Sequence, residues 1–549
     1  MPIARTSGSS IWQPALRTVK ARDVTTRYRD GCEISLLDVR EQWSYSRGHA
    51  LLASSCPFSS LELMIEDLVP RKSAPIVVMD DGAGTGNNLA VRAAARLSEL
   101  GYDNVSVLAG GAPGWAAAGF ALFTGVHAFS KLFGEVVEHD DAPPTLTADQ
   151  LAEDLTQNAE NIVIDVRPPE EFQRASLPCS INIPAGELLR SLQTIAPDAN
   201  TPIVVHCGGR TRGIIAAQTL IAAGVPNPVL LLENGTIGWR LSGRDTVAGV
   251  GSSRRIAIAQ TTPVNGQSGS NFVAASGARA IDSTELADTI AQTPTRTTYF
   301  LDVRSRAEFD RGHHPCARHV PAGQLVQETD QFLATRNARL VLFDDAGDRA
   351  AFAAYWLRRM GWPDITWFSL ADCTPTMLVA SVDDEPVPAL PIDRVDLVTP
   401  AAAKTMLALG NAVIIDLSSS LAYEKGHVPG AHFAIRAQIR TETMTRLGSQ
   451  SDLILTSEDG ARAALASADI SEIHAGRIRV LEGGNQGWRA TGFALETGPT
   501  SMLHSPRDVR RSIYEGSSDL SAAMQGYIDW EEALVETAKG ENYLPFDLP

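Results

Sequence analysis

The sequence predicts four tandem α/β units, each a small parallel β-sheet flanked by helices on both faces. Three observations predict this. An apolar run ending in an acidic residue recurs four times, a second apolar run follows each at a nearly fixed distance, and a Gly/Trp element closes three of the four copies. Self-similarity of this kind fixes the architecture before any local assignment is made.

The first runs are Leu36-Leu37-Asp38-Val39-Arg40, Ile162-Val163-Ile164-Asp165-Val166-Arg167, Phe300-Leu301-Asp302-Val303-Arg304 and Ile414-Ile415-Asp416-Leu417-Ser418, the last without the arginine. Downstream come Arg47-Gly48-His49, Arg311-Gly312-His313 and Lys425-Gly426-His427, where the second copy reads Arg174-Ala175-Ser176. The second runs open into polar loops at Asp80, Cys207, Asp344 and Ser457, which lie 42, 42, 42 and 41 residues beyond Asp38, Asp165, Asp302 and Asp416. An Ala-rich helical stretch follows each loop. Short apolar runs alternating with helical patterns read as parallel strands joined by helices. The closing elements are Gly110 to Trp115, Asn234 to Trp239 and Gly483 to Trp488; the third copy has Trp367-Phe368-Ser369-Leu370 instead.

This division gives units at 13–125, 144–262, 274–388 and 393–500, followed by a tail at 501–549. The stretches Asp140 to Pro144, Thr262 to Asn271 and Asp384 to Pro388 read as linkers, the second as a flexible hinge. In the tail, Asp519 to Lys539 has helical spacing, with Leu520, Met524, Ile528, Trp530 and Leu534 expected to pack back on the body in a structural role.

Composition narrows the function. A 549-residue chain exceeds one core. A formal charge of −17 argues against a general nucleic-acid or anionic-membrane surface. The first residues hold no apolar stretch of signal-peptide length, and no run approaches the roughly 18 apolar residues of a membrane span. Six scattered cysteines form no disulfide framework and no metal cluster, so no metal or cofactor is expected and a reducing cytoplasm fits best.

The second unit's loop carries the chemistry. A strand ends at His206, six residues form the loop Cys207-Gly208-Gly209-Arg210-Thr211-Arg212, and a helix starts near Thr211 and runs through Ala223. Helix N-termini and nearby cations lower a cysteine pKa from its usual ~8.5. Loop and first-turn amides point inward, Gly208 and Gly209 let the chain curl around the sulfur, and Arg210 and Arg212 offer forked donors to an anion. Cys207 is therefore expected to be a nucleophile held as thiolate, with Gly208, Gly209, Arg210, Thr211 and Arg212 binding a small anion.

The Asp-Val-Arg strand end, the Glu171-Phe172 pair, this Cys loop and the closing Asn234-Gly235-Thr236-Ile237-Gly238-Trp239 together resemble rhodanese domains, over roughly residues 13–500. The resemblance implies a sulfurtransferase. Cys207 would attack the outer sulfur of thiosulfate, expel sulfite, and carry a persulfide to a thiophilic acceptor, cyanide or a thiol. A six-residue loop matches sulfurtransferases, whereas related phosphatases and arsenate reductases use seven. Two arginines favour a doubly charged donor. Mercaptopyruvate or a low-molecular-weight persulfide as donor, a non-catalytic binding scaffold and a phosphatase are the alternatives. A protein acceptor and a homo-oligomer stay open.

Other candidates read as structural. Asp165 and Arg167 recur in units without the cysteine, so they are expected to fix the strand end, with Arg167 pairing for example with Glu171. His206 is expected to pack, and Cys179 and Cys316 to share a packing position. Asp80 and Asp344 cannot form a persulfide, and Ser457 has no adjacent base, so units one, three and four are expected to be non-catalytic. The glycine run from Gly82 to Gly86 does not complete a dinucleotide fingerprint. In two-domain relatives an inactive first domain supports an active second, which places the pocket near the interface of units one and two and leaves units three and four as an inactive pair.

Overall fold

The computed structural model describes residues 17–82, 88–157, 161–196, 198–248, 272–380, 395–447, 452–515 and 519–549. The linker centred on 262–271, the stretch 384–388 and most of the glycine run after Gly82 lie outside the described residues.

Four sheets are present, one per unit. In the second unit the strands Thr145–Leu146, Ile162–Asp165, Ile181–Asn182, Ile203–His206 and Val229–Leu232 all pair in parallel in spatial order first, fifth, fourth, second, third. The third and fourth units repeat this order. The strand that ends at His206 is thus central, buried throughout, and flanked on both sides. Fully apolar strands are what a sheet covered on both faces requires. Residues just beyond the carboxyl end of such a strand open onto the crevice where ligands bind in open α/β sheets.

The first unit adds a strand that its own sequence does not supply. Thr335–Arg336, from the third unit, pairs antiparallel with the strand Ile34–Asp38, through Thr335 opposite Ser35 and Arg336 opposite Ile34. Ser35 Oγ and Thr335 Oγ1 meet at 2.9 Å.

The core does not follow the expected pairing of units one with two and three with four. One apolar cluster joins strands of the second unit (Ile164, Val205, Leu231) to strands of the third (Leu301, Leu342). Another joins the first unit (Leu37, Ile76, Leu97) to the fourth (Ile414, Ile454, Trp488). The helix Ala128–Asp141, between the first two units, buries Phe129, Leu132, Phe133 and Val137 in the first of these clusters and packs against both the helix Thr211–Ala222 and the tail helix Leu520–Ala538. The physical reason is that a helix apolar on most of its surface, such as Thr211–Ala222, buries that surface against a neighbouring element, leaving only residues such as Ile221 exposed.

The tail forms the expected helix, with Met524, Ile528 and Leu534 buried. No helix among the described residues is long and apolar enough to cross a membrane.

Candidate functional site

The first three units end their first central strand on the same clamp. Arg167 Nε and Nη2 bind both oxygens of Asp165 at 2.7–3.2 Å, and Nη2 also donates to Ala175 O at 2.6 Å. Arg40 on Asp38 and Arg304 on Asp302 do the same, reaching Gly48 O and Gly312 O. In the fourth unit, where serine replaces the arginine, Asn485 Nδ2 donates to Asp416 instead at 2.7 Å. A buried carboxylate needs such a partner, so the recurrence is structural. Glu171 is a minor partner of Arg167, at 3.8 Å.

Cys207 follows the central strand and is 2% exposed. Its Sγ lies 3.6 Å from Arg210 O, and the amides of Gly213 and Gly209 point at it. Asn234 and Gly235 turn the chain with positive φ under the loop, where a Cβ on Gly235 would meet Cys207 O at 2.3 Å, so only glycine fits. The expected standing thiolate is corrected by the structure. Burial pushes the Cys207 thiol above its ordinary value; Arg212 and the Gly213 and Gly209 amides pull it down, Glu531 pushes it further up, and burial prevails.

The two loop arginines part company. Arg212 grips Glu171 with two hydrogen bonds of 2.6 and 2.9 Å, keeps its charge on the sulfur, and lines a cleft of about 430 Å³ together with Gly208 and Gly209. Arg210 turns away. Its guanidinium binds Glu135 at 2.6–3.1 Å, Glu138, Glu532 at 3.1 Å and Asn234 Oδ1 at 3.2 Å, and it does not line the cleft. Thr211 also leaves the cleft, with its hydroxyl on Glu531 at 3.5 Å and its methyl against Gly134. The loop thus presents Gly208, Gly209 and Arg212, and uses Arg210 and Thr211 to anchor itself on the inter-unit helix and the tail.

His206 is buried, meets Ser180 Oγ at 2.6 Å, and has its pKa lowered by burial, as a packing residue would. Cys179 and Cys316 sit in small clusters at equivalent strand ends, their thiols pushed up to about 11 and about 12 by burial.

The tail contributes what sequence reading assigned to structure alone. Arg510, Ser512, Tyr514 and Tyr527 line the cleft, as do Gln42 of the first unit and Val126 just beyond it. Behind Tyr527, Glu531 is 1% exposed; its Oε1 is bound by Lys131, Tyr527 OH and Thr211, and its Oε2 has no hydrogen-bond partner. That free oxygen lies 3.2 Å from where a Cβ of Gly209 would be. The tail follows the last repeat, so nothing in the repeat register could place it here.

A model for the rhodanese-like domain matches this chain at residues 21–118, 147–242, 282–369 and 399–491. The chain belongs to the rhodanese-like family. A crystal structure of a thiosulfate sulfurtransferase from Pseudomonas aeruginosa is similar over 97% of this chain and 100% of that one, with a TM-score of 0.89 and 38% identity. A putative thiosulfate sulfurtransferase, SseB, of Mycobacterium tuberculosis is 32% identical over 145 residues, 24% of this chain and 48% of that protein. The thiosulfate sulfurtransferase PspE of Escherichia coli is 41% identical over 51 residues, 9% of this chain and 49% of that protein. This rhodanese-like chain spans less than half the length of the curated relatives it matches. The four matched stretches fall one in each of the four units.

Proposed function

We propose that this rhodanese-like protein moves sulfane sulfur from thiosulfate to a thiophilic acceptor through a persulfide on Cys207. The observation that carries the reading is the second unit's loop: a cysteine at the end of a central strand, faced by two backbone amides and one guanidinium, beneath an arginine-lined cleft. The thiolate of Cys207 attacks the outer sulfur of thiosulfate, and the S–S bond breaks with its electron pair leaving on sulfite. The outer sulfur stays on Sγ as a persulfide, whose negative charge the Gly209 and Gly213 amides and Arg212 are placed to hold. A nucleophilic acceptor then removes that sulfur and returns the electron pair to Sγ. Arg212, Arg510 and Arg174 supply the positive lining that a dianion needs, while Arg210 positions the loop. The names of the similar proteins support thiosulfate as donor.

The test is donor-dependent sulfite release, with the mass of the Cys207 peptide measured after thiosulfate treatment. The expected result is sulfite release together with one added sulfur atom on Cys207, both lost in Cys207→Ala. A donor preference for mercaptopyruvate of about tenfold or more would replace thiosulfate. No adduct with any donor would leave a binding scaffold.

A further inference from the structure

A separate cavity of about 230 Å³ opens where the first, third and fourth units meet the tail. Its charged lining is Glu41 of the first unit, His127 just beyond it, Asp330 of the third, Arg462 of the fourth and Asp508 of the tail. No residue of the Cys207 loop reaches it, and it shares only Gln42 and Val126 with the cleft above that loop.

Two of the five charged groups satisfy each other: His127 Nδ1 and Asp330 Oδ1 meet at 2.9 Å. The other three are open. Asp508 is 7% exposed; its Oδ2 accepts from the Ser420 amide at 2.7 Å, and its Oδ1 has no hydrogen-bond partner among the described residues. A buried carboxylate oxygen left bare is costly, and a donor brought by a ligand removes that cost. Glu41 is 8% exposed and takes the Ser59 hydroxyl at 2.5 Å. Burial pushes its carboxyl up to about 7; the Ser59 hydroxyl draws it down, Asp508 pushes it up and Arg462 draws it down, so the three groups share one field. Arg462 follows Ser457 by five residues, as Arg212 follows Cys207 and Arg349 follows Asp344. Arg212 and Arg349 are held by Glu171 and Glu308, each six residues beyond its unit's strand-end aspartate. In the fourth unit that position is Ala422, and Arg462 makes no hydrogen bond or ion pair among the described residues. The substitution frees a forked donor for a carboxylate from outside.

The arrangement selects one kind of occupant. The carboxyl groups do not converge on a point that a metal ion could fill; among the described residues only Asp344, Asp345 and Asp348 do. Two carboxyl groups without a cation repel a dianion such as thiosulfate. What fits is a molecule with a cationic donor at one end and an anion at the other. Between them Met64, Val126 and Val509 offer apolar contact. The volume has room for roughly eight water-sized groups, the bulk of a small branched α-amino acid.

We propose that this cavity binds a free α-amino acid with an aliphatic side chain, its ammonium group on Asp508 and Glu41, its carboxylate on Arg462 and its side chain on Met64, Val126 and Val509. The proposal does not depend on the Cys207 persulfide.

The experiment is calorimetric titration of the full chain with L-valine, L-leucine and L-methionine, and with two halves of leucine: isopentylamine, which lacks the carboxylate, and 4-methylpentanoate, which lacks the ammonium group. At least one amino acid should bind at one site with a Kd of about a millimolar or tighter. Each half should bind at least about tenfold more weakly than leucine, the loss of one charge-assisted hydrogen bond. Arg462→Gln should weaken the amino acid about tenfold and leave isopentylamine unchanged; Asp508→Asn should weaken it about tenfold and leave 4-methylpentanoate unchanged. Met64→Trp, which fills the cavity and keeps every charged group, should abolish binding. Failure of all three amino acids to bind overturns the proposal. So does a Kd that none of the three variants moves, which places binding elsewhere, and so does isopentylamine binding as tightly as leucine, which leaves Arg462 without a carboxylate.

Discussion

In the third unit Asp344 stands where Cys207 stands in the second, and the frame around it repeats. Arg349 takes the place of Arg212 and pairs with Glu308 as Arg212 pairs with Glu171, while Arg304 clamps Asp302 as Arg167 clamps Asp165. What fills the loop differs. Asp344 accepts from its own loop and helix amides, Asp345, Arg349 and Ala350, at 2.9–3.1 Å, and from Arg349 Nε at 3.0 Å. The nest is occupied by the chain's own carboxyl group, which burial pushes up to about 7. Arg190 from the second unit then closes over it, bonding Asp348 and Asp345 at 2.6–2.9 Å, so the acidic group Asp344, Asp345 and Asp348 is neutralised by arginines. In the second unit the cradle holds a sulfur whose thiol burial pushes above its ordinary value, and the loop borders an open cleft. One loop architecture can therefore serve as an interface joint or as a site, according to whether its anion is internal or must come from outside.

That contrast can be broken in several places. The largest expected effect is on chemistry: Cys207→Ala should lower sulfite release about a thousandfold or more while barely moving the thermal midpoint, because it leaves no charge unpaired. Asp344→Ala should do the reverse. It removes the acceptor of the Arg349 and Ala350 amides and of Arg349 Nε, while Glu308, Glu187 and Asp345 still hold that guanidinium, and a buried donor left unsatisfied costs about 1–3 kcal/mol, read by denaturant unfolding. Should Asp344→Ala be as stable as wild type, the internal-anion account of the third unit fails. Arg212→Gln should slow persulfide formation about 10- to 100-fold, since it removes both a charge-assisted donor and the charge that draws the thiol pKa down.

Smaller shifts sharpen the same picture. A thiol raised by burial is protonated at neutral pH, so persulfide loading should climb with pH, about tenfold per unit, until the thiol titrates above its usual value of ~8.5. A rate already flat between pH 6 and 8, as estimated ranges for activated thiols run to about 3.5–7.5, would mean the thiolate stands free. Glu531→Gln removes a neighbouring negative charge. The midpoint of Cys207 alkylation by iodoacetamide should then move down, by about a unit or less.

Much of the site was legible because the repeat supplied its own control. Asp165 and Arg167 could be set aside as structural since Asp38, Arg40, Asp302 and Arg304 carry the same clamp without a cysteine. Cys207, Gly208, Gly209 and Arg212 were readable because a strand end and a helix start fix where six intervening residues must lie. The destination of Arg210 was not readable: its partners Glu135, Glu138 and Glu532 lie 72 to 322 residues away on elements outside the unit. The direction of the Cys207 pKa was misjudged for the same reason, since the loop's amides and charges are local whereas burial depends on what covers the loop.

By itself the sequence determined the four units, the covered parallel sheet of each, and the single cysteine loop, because hydrophobic period, turn residues and register are properties of neighbouring residues. Only the tertiary structure decided that the second unit shares its core with the third and the first with the fourth, that Thr335–Arg336 completes a sheet three hundred residues earlier in the chain, and that the tail walls the cleft. These depend on which apolar faces find each other, and hydrophobic burial is non-directional. Its choice among partners is settled by packing shape and buried charge pairs, which no local pattern encodes.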